Sequence, residues 1–194
     1  MTTGYKIVYA ILWPIFHVLW PYRVYGREHI VVEACIICAN HSSLIDPLLI
    51  AFAFGRKRMI HFMAKYELSK RPILGWILAK CGVFFVKRGE TDIGAIRSAM
   101  KYLKGGERVM MFPEGTRVSS EDGGAAKRGA VSLASKLGVP VIPVNIPRKK
   151  KPFHRIEIHI GEAYYIEKLG REELEHRSEE LMERINALGG RAND

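Results

Sequence analysis

From residue 23 onward, short runs rich in β-branched and aromatic residues take turns with helical patterns, and this alternation limits the fold more than any other feature. Candidate strands lie at 34–39, 59–63, 83–86, 108–112, 141–146 and 155–160. Candidate helices lie between or after them at 47–54, 72–80, 91–104, 127–137 and 171–188. Strands that alternate with helices predict an α/β layered domain with a largely parallel central sheet flanked by helices. The helix at 91–104 is well marked: Thr91 or Asp92 can cap it, Ile93, Ile96, Met100 and Leu103 form its expected buried stripe, and Gly105-Gly106 ends it. With 194 residues the chain can bury a full core as one domain without disulfides. The odd cysteine count fits a reducing compartment, and Cys35 and Cys38, inside an apolar run, read as small core residues rather than half of a zinc site.

The segment before the alternating pattern is different. Ile7 to Tyr22 carries no charge, but a helix of that length reaches only about 24 Å, less than the ~30 Å hydrocarbon core of a bilayer, and Pro14 interrupts it. Tyr5, Tyr9, Trp13, Phe16 and Trp20 share one helical face. Tyr and Trp favour the membrane–water boundary, so residues 1–22 read as a membrane-associating aromatic helix and 23–194 as the main domain. Packing of that face on the domain's own core is the alternative.

The net charge is +10, and residues 1–170 hold 26 basic against 13 acidic side chains. Such an excess implies an anionic partner: nucleic acid, a membrane surface or a phosphorylated substrate. No helix-turn-helix, RNA-recognition or zinc-finger signature is present, which removes nucleic acid as the expected partner. Two basic runs, Arg56-Lys57-Arg58 and Arg148-Lys149-Lys150-Lys151, read as solvated loops able to face anionic lipid.

Chemistry concentrates after three of the strands. His41 and Asp46 are five residues apart, so they meet only if the chain turns between a strand end and a helix start. Pro47 suits such a start, with Asp46 as its N-cap or, alternatively, as the partner that orients the His41 ring for proton transfer. In Phe112-Pro113-Glu114-Gly115-Thr116-Arg117 the Pro and Gly shape a tight loop whose amides can bind an anion. Arg117 offers a planar fork for phosphate, and Glu114 can accept from a substrate hydroxyl or hold a cation. Arg88 follows a third strand, and in a parallel sheet His41, Arg88 and Arg117 share the rim at the strands' carboxyl ends. The remaining histidines, His17, His29, His61, His154, His159 and His176, show no metal-ligand spacing, so no metal is expected.

These segments resemble the four motifs of the glycerolipid acyltransferase superfamily. Asn40–Pro47 resembles its H-x-x-x-x-D motif, Gly82–Arg88 its second, Phe112–Arg117 its third and Val141–Val144 its fourth, over roughly residues 23–165. Lys87 stands where the second motif commonly has an acidic residue. The likeness is greatest to 1-acylglycerol-3-phosphate (lysophosphatidate) acyltransferases. It implies acyl transfer from acyl-CoA or acyl-carrier protein to the sn-2 hydroxyl of a lysophospholipid, making phosphatidic acid at the cytoplasmic face of the cell membrane. His41 would be the base and Asp46 its partner, with Gly115 and Thr116 as oxyanion donors and Lys65, Arg88 and Arg117 on the acceptor phosphate. No cofactor is implied beyond the thioester co-substrate, and no acyl-cysteine intermediate. Glycerol 3-phosphate, dihydroxyacetone phosphate or another lysolipid is the alternative acceptor. A non-catalytic basic module for membrane or nucleic acid is the alternative of another class.

Overall fold

The computed structural model describes residues 2–87, 92–118, 126–168, 170 and 172–190. Its strands are β1 (Tyr22–Tyr25), β2 (Ile36–Ala39), β3 (Ile60–Lys65), β4 (Phe84–Val86), β5 (Arg108–Met111), β6 (Val141–Asn145) and β7 (Ile156–Ile160). Its helices are α1 (Thr3–Leu19), α2 (Asp46–Phe54), α3 (Pro72–Lys80), α4 (Ile93–Lys104), α5 (Gly129–Leu137) and α6 (Glu173–Gly190). All six expected strands and five expected helices are present. The additional strand β1 is only four residues long and follows directly on the apolar helix, so no separate pattern announces it.

The strands form one sheet in the order β1-β7-β6-β2-β5-β3-β4. The five from β6 to β4 run parallel; β7 is antiparallel to β6, and β1 runs parallel to β7. β2 lies at the centre, and all four of its residues are buried. Successive side chains on a strand point to opposite faces. Ile37 and Ala39 accordingly join a core with α1 and α2, and Ile36 and Cys38 join one with α4, α5 and α6. Three layers follow directly from that continuous apolar run. Cys35, Cys38 and Cys81 are free thiols, and burial pushes Cys35 up to about 12, where it stays protonated and inert.

Two helices pack differently from the first-named expectation, and for α1 the alternative, packing on the domain's own core, is what the aromatic face does. The aromatic stripe of α1 faces inward: Tyr5 and Phe16 are buried, Tyr9 meets the Phe52 ring edge-on at 5.1 Å, and Phe16 lies 5.6 Å from it. Only Trp13 stays substantially exposed, donating to the Tyr22 hydroxyl. Aromatic rings bury more area than aliphatic ones, and the Phe52 side of α2 offers them a surface. The face left outside is aliphatic, with Ile7, Ile11, Ile15 and Val18. In α4 the expected stripe is rotated. Ala95, Ala99 and Leu103 are buried, whereas Ile93 and Ile96 are exposed, because alanines let the helix approach the sheet closely. Asp92 caps α4, accepting from the Ala95 amide.

Candidate active site

Sheet order assembles the site. β2 has β6 on one side and β5 on the other, so the segments leaving the carboxyl ends of all three strands meet at one point of the rim. Asn40, directly after β2, makes a two-way clamp with the segment after β6: its amide donates to the Ile146 carbonyl at 2.7 Å, and its carbonyl accepts from the Ile146 amide at 2.9 Å. The loop after β5 is tied to the same place by the Val118 amide, which donates to the His41 carbonyl at 2.8 Å.

His41 and Asp46 meet. The His41 Nδ1 lies 2.9 Å from Asp46 Oδ2, and the same oxygen accepts from the amides of Ser42 and Ser43 at 2.8 and 2.7 Å. Asp46 is the first residue of α2 and turns its side chain back onto the preceding turn, so it is not the helix's N-cap; Ile45 holds that position. Burial of Asp46 favours its neutral form, but the His41 hydrogen bond, the Lys150 charge and the Ser43 amide outweigh it and hold the carboxyl below its ordinary range. An ionised Asp46 on Nδ1 places the ring proton there and leaves the Nε2 lone pair to act as acceptor. The Phe112 ring stacks on the imidazole at 3.8 Å and 14°, fixing its plane.

Around this pair lie two further ion pairs that the sequence reading missed. Lys150 Nζ is 2.9 Å from Asp46 Oδ1 and donates to Ser42 Oγ at 2.7 Å, with its side chain 3% exposed. Arg148 donates to Glu114 Oε1 at 2.7 Å and to the Val118 carbonyl at 2.8 Å. Arg148 and Lys150 therefore reach into the site, whereas Lys149 and Lys151 of the same run are exposed. The available signal was only the run's position a few residues beyond the end of an apolar strand, where loops of a parallel sheet carry ligand-binding groups. Of the two roles expected for Glu114 the structure shows the second, a cation holder, and not the substrate contact: its other oxygen accepts from the His41 amide at 2.7 Å and its side chain is fully buried, so it holds Arg148 and positions His41.

Gly115 adopts a left-handed φ of 68°, and a side chain there would press on Lys127. Its amide donates to the Phe112 carbonyl, so it is not free for an oxyanion. Thr116 and Arg117 are exposed beside it. Lys65 ends β3 on the same rim, half-exposed and 3.5 Å from Glu67. Lys87, exposed after β4, carries its amine 5.4 Å from the Tyr66 ring centroid. Arg88 lies outside the described residues. From β2 the rim runs through β5 and β3 to β4, about 14 Å at the usual strand spacing. Among the described residues no three His, Cys, Asp or Glu side chains converge as a metal site.

A family model described as Acyltransferase matches residues 21–147, which contain the His41–Asp46 pair, the Glu114 loop and all strands from β1 to β6. The chain belongs to this acyltransferase family. Among curated relatives, a 1-acyl-sn-glycerol-3-phosphate acyltransferase of Bacillus subtilis is 34% identical over 122 residues, covering 62% of this chain and 60% of the relative. A chloroplastic one of Brassica napus is 34% identical over 116 residues, covering 58% of this chain and 32% of the relative. The chain thus matches between about a third and three-fifths of the length of these acyltransferases. The solved 1-acyl-sn-glycerophosphate (LPA) acyltransferase PlsC from Thermotoga maritima superposes with a TM-score of 0.72 at 29% identity, covering 94% of this chain and 78% of that one. The family fold, a mostly parallel sheet flanked by helices, is therefore shared.

Proposed function

We propose that this acyltransferase moves a fatty acyl group from an acyl thioester to the sn-2 hydroxyl of 1-acylglycerol 3-phosphate, giving phosphatidic acid. The observation that carries the reading is the buried Asp46–His41 pair, whose Nε2 has no hydrogen-bond partner among the described residues, at a rim that also bears cations. An alcohol is a weak nucleophile at neutral pH. Nε2 takes its proton as the oxygen attacks the thioester carbonyl, and Asp46 offsets the imidazolium charge. When the tetrahedral adduct collapses, the C–S bond breaks and the thiolate recovers that proton from His41. With the Gly115 amide bonded to the Phe112 carbonyl, the Thr116 amide is the oxyanion donor assigned to this turn. Lys65, Arg88 and Arg117 supply charge for the acceptor phosphate. Acyl-CoA and acyl-carrier protein are both donors of the required chemistry, and direct transfer needs no cysteine.

The acceptor and product are amphiphiles, so the same reading places the enzyme on an anionic lipid surface, at the cytoplasmic face of the cell membrane. Among the described residues no helix is long and apolar enough to cross a membrane. The outward aliphatic face of α1, with Ile73 and Trp76 of α3 and the exposed Phe153, supports shallow attachment instead.

One thiol-release assay tests the reaction, crossing acyl-CoA and acyl-carrier protein with lysophosphatidate and glycerol 3-phosphate. Release with lysophosphatidate and formation of phosphatidic acid are expected; release only with glycerol 3-phosphate reassigns the acceptor. His41→Ala is expected to lower turnover by about 10²–10⁴-fold while its circular dichroism spectrum stays native. Unchanged turnover in that variant rejects the base.

A further inference from the structure

Lys150 has no place in the chemistry so far, yet its ammonium is among the most deeply enclosed charges of the site. We infer that Lys150 is a positioning residue for the base: its ammonium, on the Asp46 oxygen that His41 does not use, keeps Asp46 ionised and limits how strongly that carboxylate favours the imidazolium form of His41. The inference rests on the acyl-transfer reading, because it concerns the base of that reaction.

A buried carboxylate beside an imidazole does two things at once. It fixes the Nδ1–H tautomer, which catalysis needs, and it stabilises the protonated ring, which at neutral pH removes the base. Here the two effects are separated by geometry. Asp46 Oδ2 serves His41 Nδ1 and the Ser42 and Ser43 amides, whereas Oδ1 faces the Lys150 ammonium at 2.9 Å. The ammonium is itself held by Ser42 Oγ at 2.7 Å, and that hydroxyl donates in turn to the Arg148 carbonyl at 3.0 Å. The Asn40–Ile146 clamp fixes the segment that carries Lys150. Such an enclosed cation is a fixed part of the field at His41, little screened by solvent.

The other charges facing His41 do not duplicate it. From the β5 loop, Glu114 takes the His41 amide and is neutralised by Arg148 from the same segment as Lys150. From α2 comes Asp46 itself, and Phe112 covers the ring with an apolar face. Among the described residues, Asp46 and Glu114 are the carboxylates bonded to His41, and each is matched by one cation from the stretch after β6. Within these two pairs each carboxylate meets one cation; without Lys150, Asp46 loses its partner.

The test measures kcat/KM against pH with acyl-CoA and lysophosphatidate for wild type, Lys150→Gln, Lys150→Met and Lys150→Arg, together with NMR titration of the His41 imidazole. Gln keeps donors for Asp46 and Ser42 but loses the charge. In both neutral variants the acidic limb and the imidazole titration are expected to move to higher pH by about one unit, the effect of one nearby charge. Turnover near neutral pH falls accordingly and recovers as pH rises. In Lys150→Arg the limb stays close to that of wild type. A limb unmoved in folded neutral variants overturns the inference. So does a raised acceptor KM with no change in limb, which would make Lys150 a phosphate ligand. Unfolding of both neutral variants, with a folded Lys150→Arg whose limb is in place, assigns the lysine to stability and also overturns it. A wild type without any acyl transfer fails the proposed function instead, and the NMR titration still reads the charge effect by itself.

Discussion

Arg56-Lys57-Arg58 and Arg148-Lys149-Lys150-Lys151 are alike as sequence, each a short basic run next to an apolar element. In the fold they have almost nothing in common. The first lies in the turn between α2 and β3, exposed, at the amino end of a parallel strand and therefore at the opposite rim from His41. The second leaves the carboxyl end of β6, the strand beside β2, and sends Arg148 and Lys150 onto two buried carboxylates. Composition sets how much charge a chain carries; the rim on which a loop emerges sets whether that charge is solvated or enters a site.

The difference can be broken most severely at Arg148. Arg148→Met leaves Glu114 fully buried without its cation, and loss of one partner from such a pair costs about 3–5 kcal/mol. At about 2–4 °C per kcal/mol for a chain of this size, thermal melting should fall by roughly 6–20 °C. An unchanged melt would show that the pair opens to water and that the contrast with the first run is smaller than it looks.

A smaller effect is expected from acid. Asp46 has its carboxyl held below the ordinary value of 3.8, so its contribution to stability is full above that value and is lost as pH falls through the lower folded value. The gap in melting temperature between wild type and Asp46→Asn should close in the region below about pH 4. A gap that is independent of pH would assign the loss to shape rather than to charge.

The smallest effect belongs to the first run. Arg56→Gln, Lys57→Gln and Arg58→Gln together should change turnover on dispersed lysophosphatidate by less than about twofold and stability by less than about 1 kcal/mol, as for exposed charges elsewhere. A large loss of turnover would give the two runs a shared role and remove the contrast.

Much of the site was legible in advance because its motifs are local. His41 and Asp46 are joined by a single turn, and the Pro113 and Gly115 positions mark a loop whatever lies around them. The partners of that pair were not legible, because Lys150 is 104 residues from Asp46 and Arg148 is 34 from Glu114. Charge runs have no periodicity from which to read a direction. Which face of α1 turns inward was not legible for a related reason. Its pattern shows that the aromatic residues share a face, but two opposite faces of that helix are apolar, and only the presence of Phe52 opposite Tyr9 and Phe16 decides which of them turns inward.

By itself, then, the sequence determined the alternation of strands and helices, the continuous apolar run that puts β2 in the middle of three layers, and the residues able to abstract a proton. All of these depend on neighbours a few positions apart, where backbone geometry dictates the outcome. The tertiary structure decided the strand order β6-β2-β5, and with it which cation meets which carboxylate around His41. Strand order is set by how the layers pack as a whole, so the balance of charge at the base is a property that no local stretch of the chain contains.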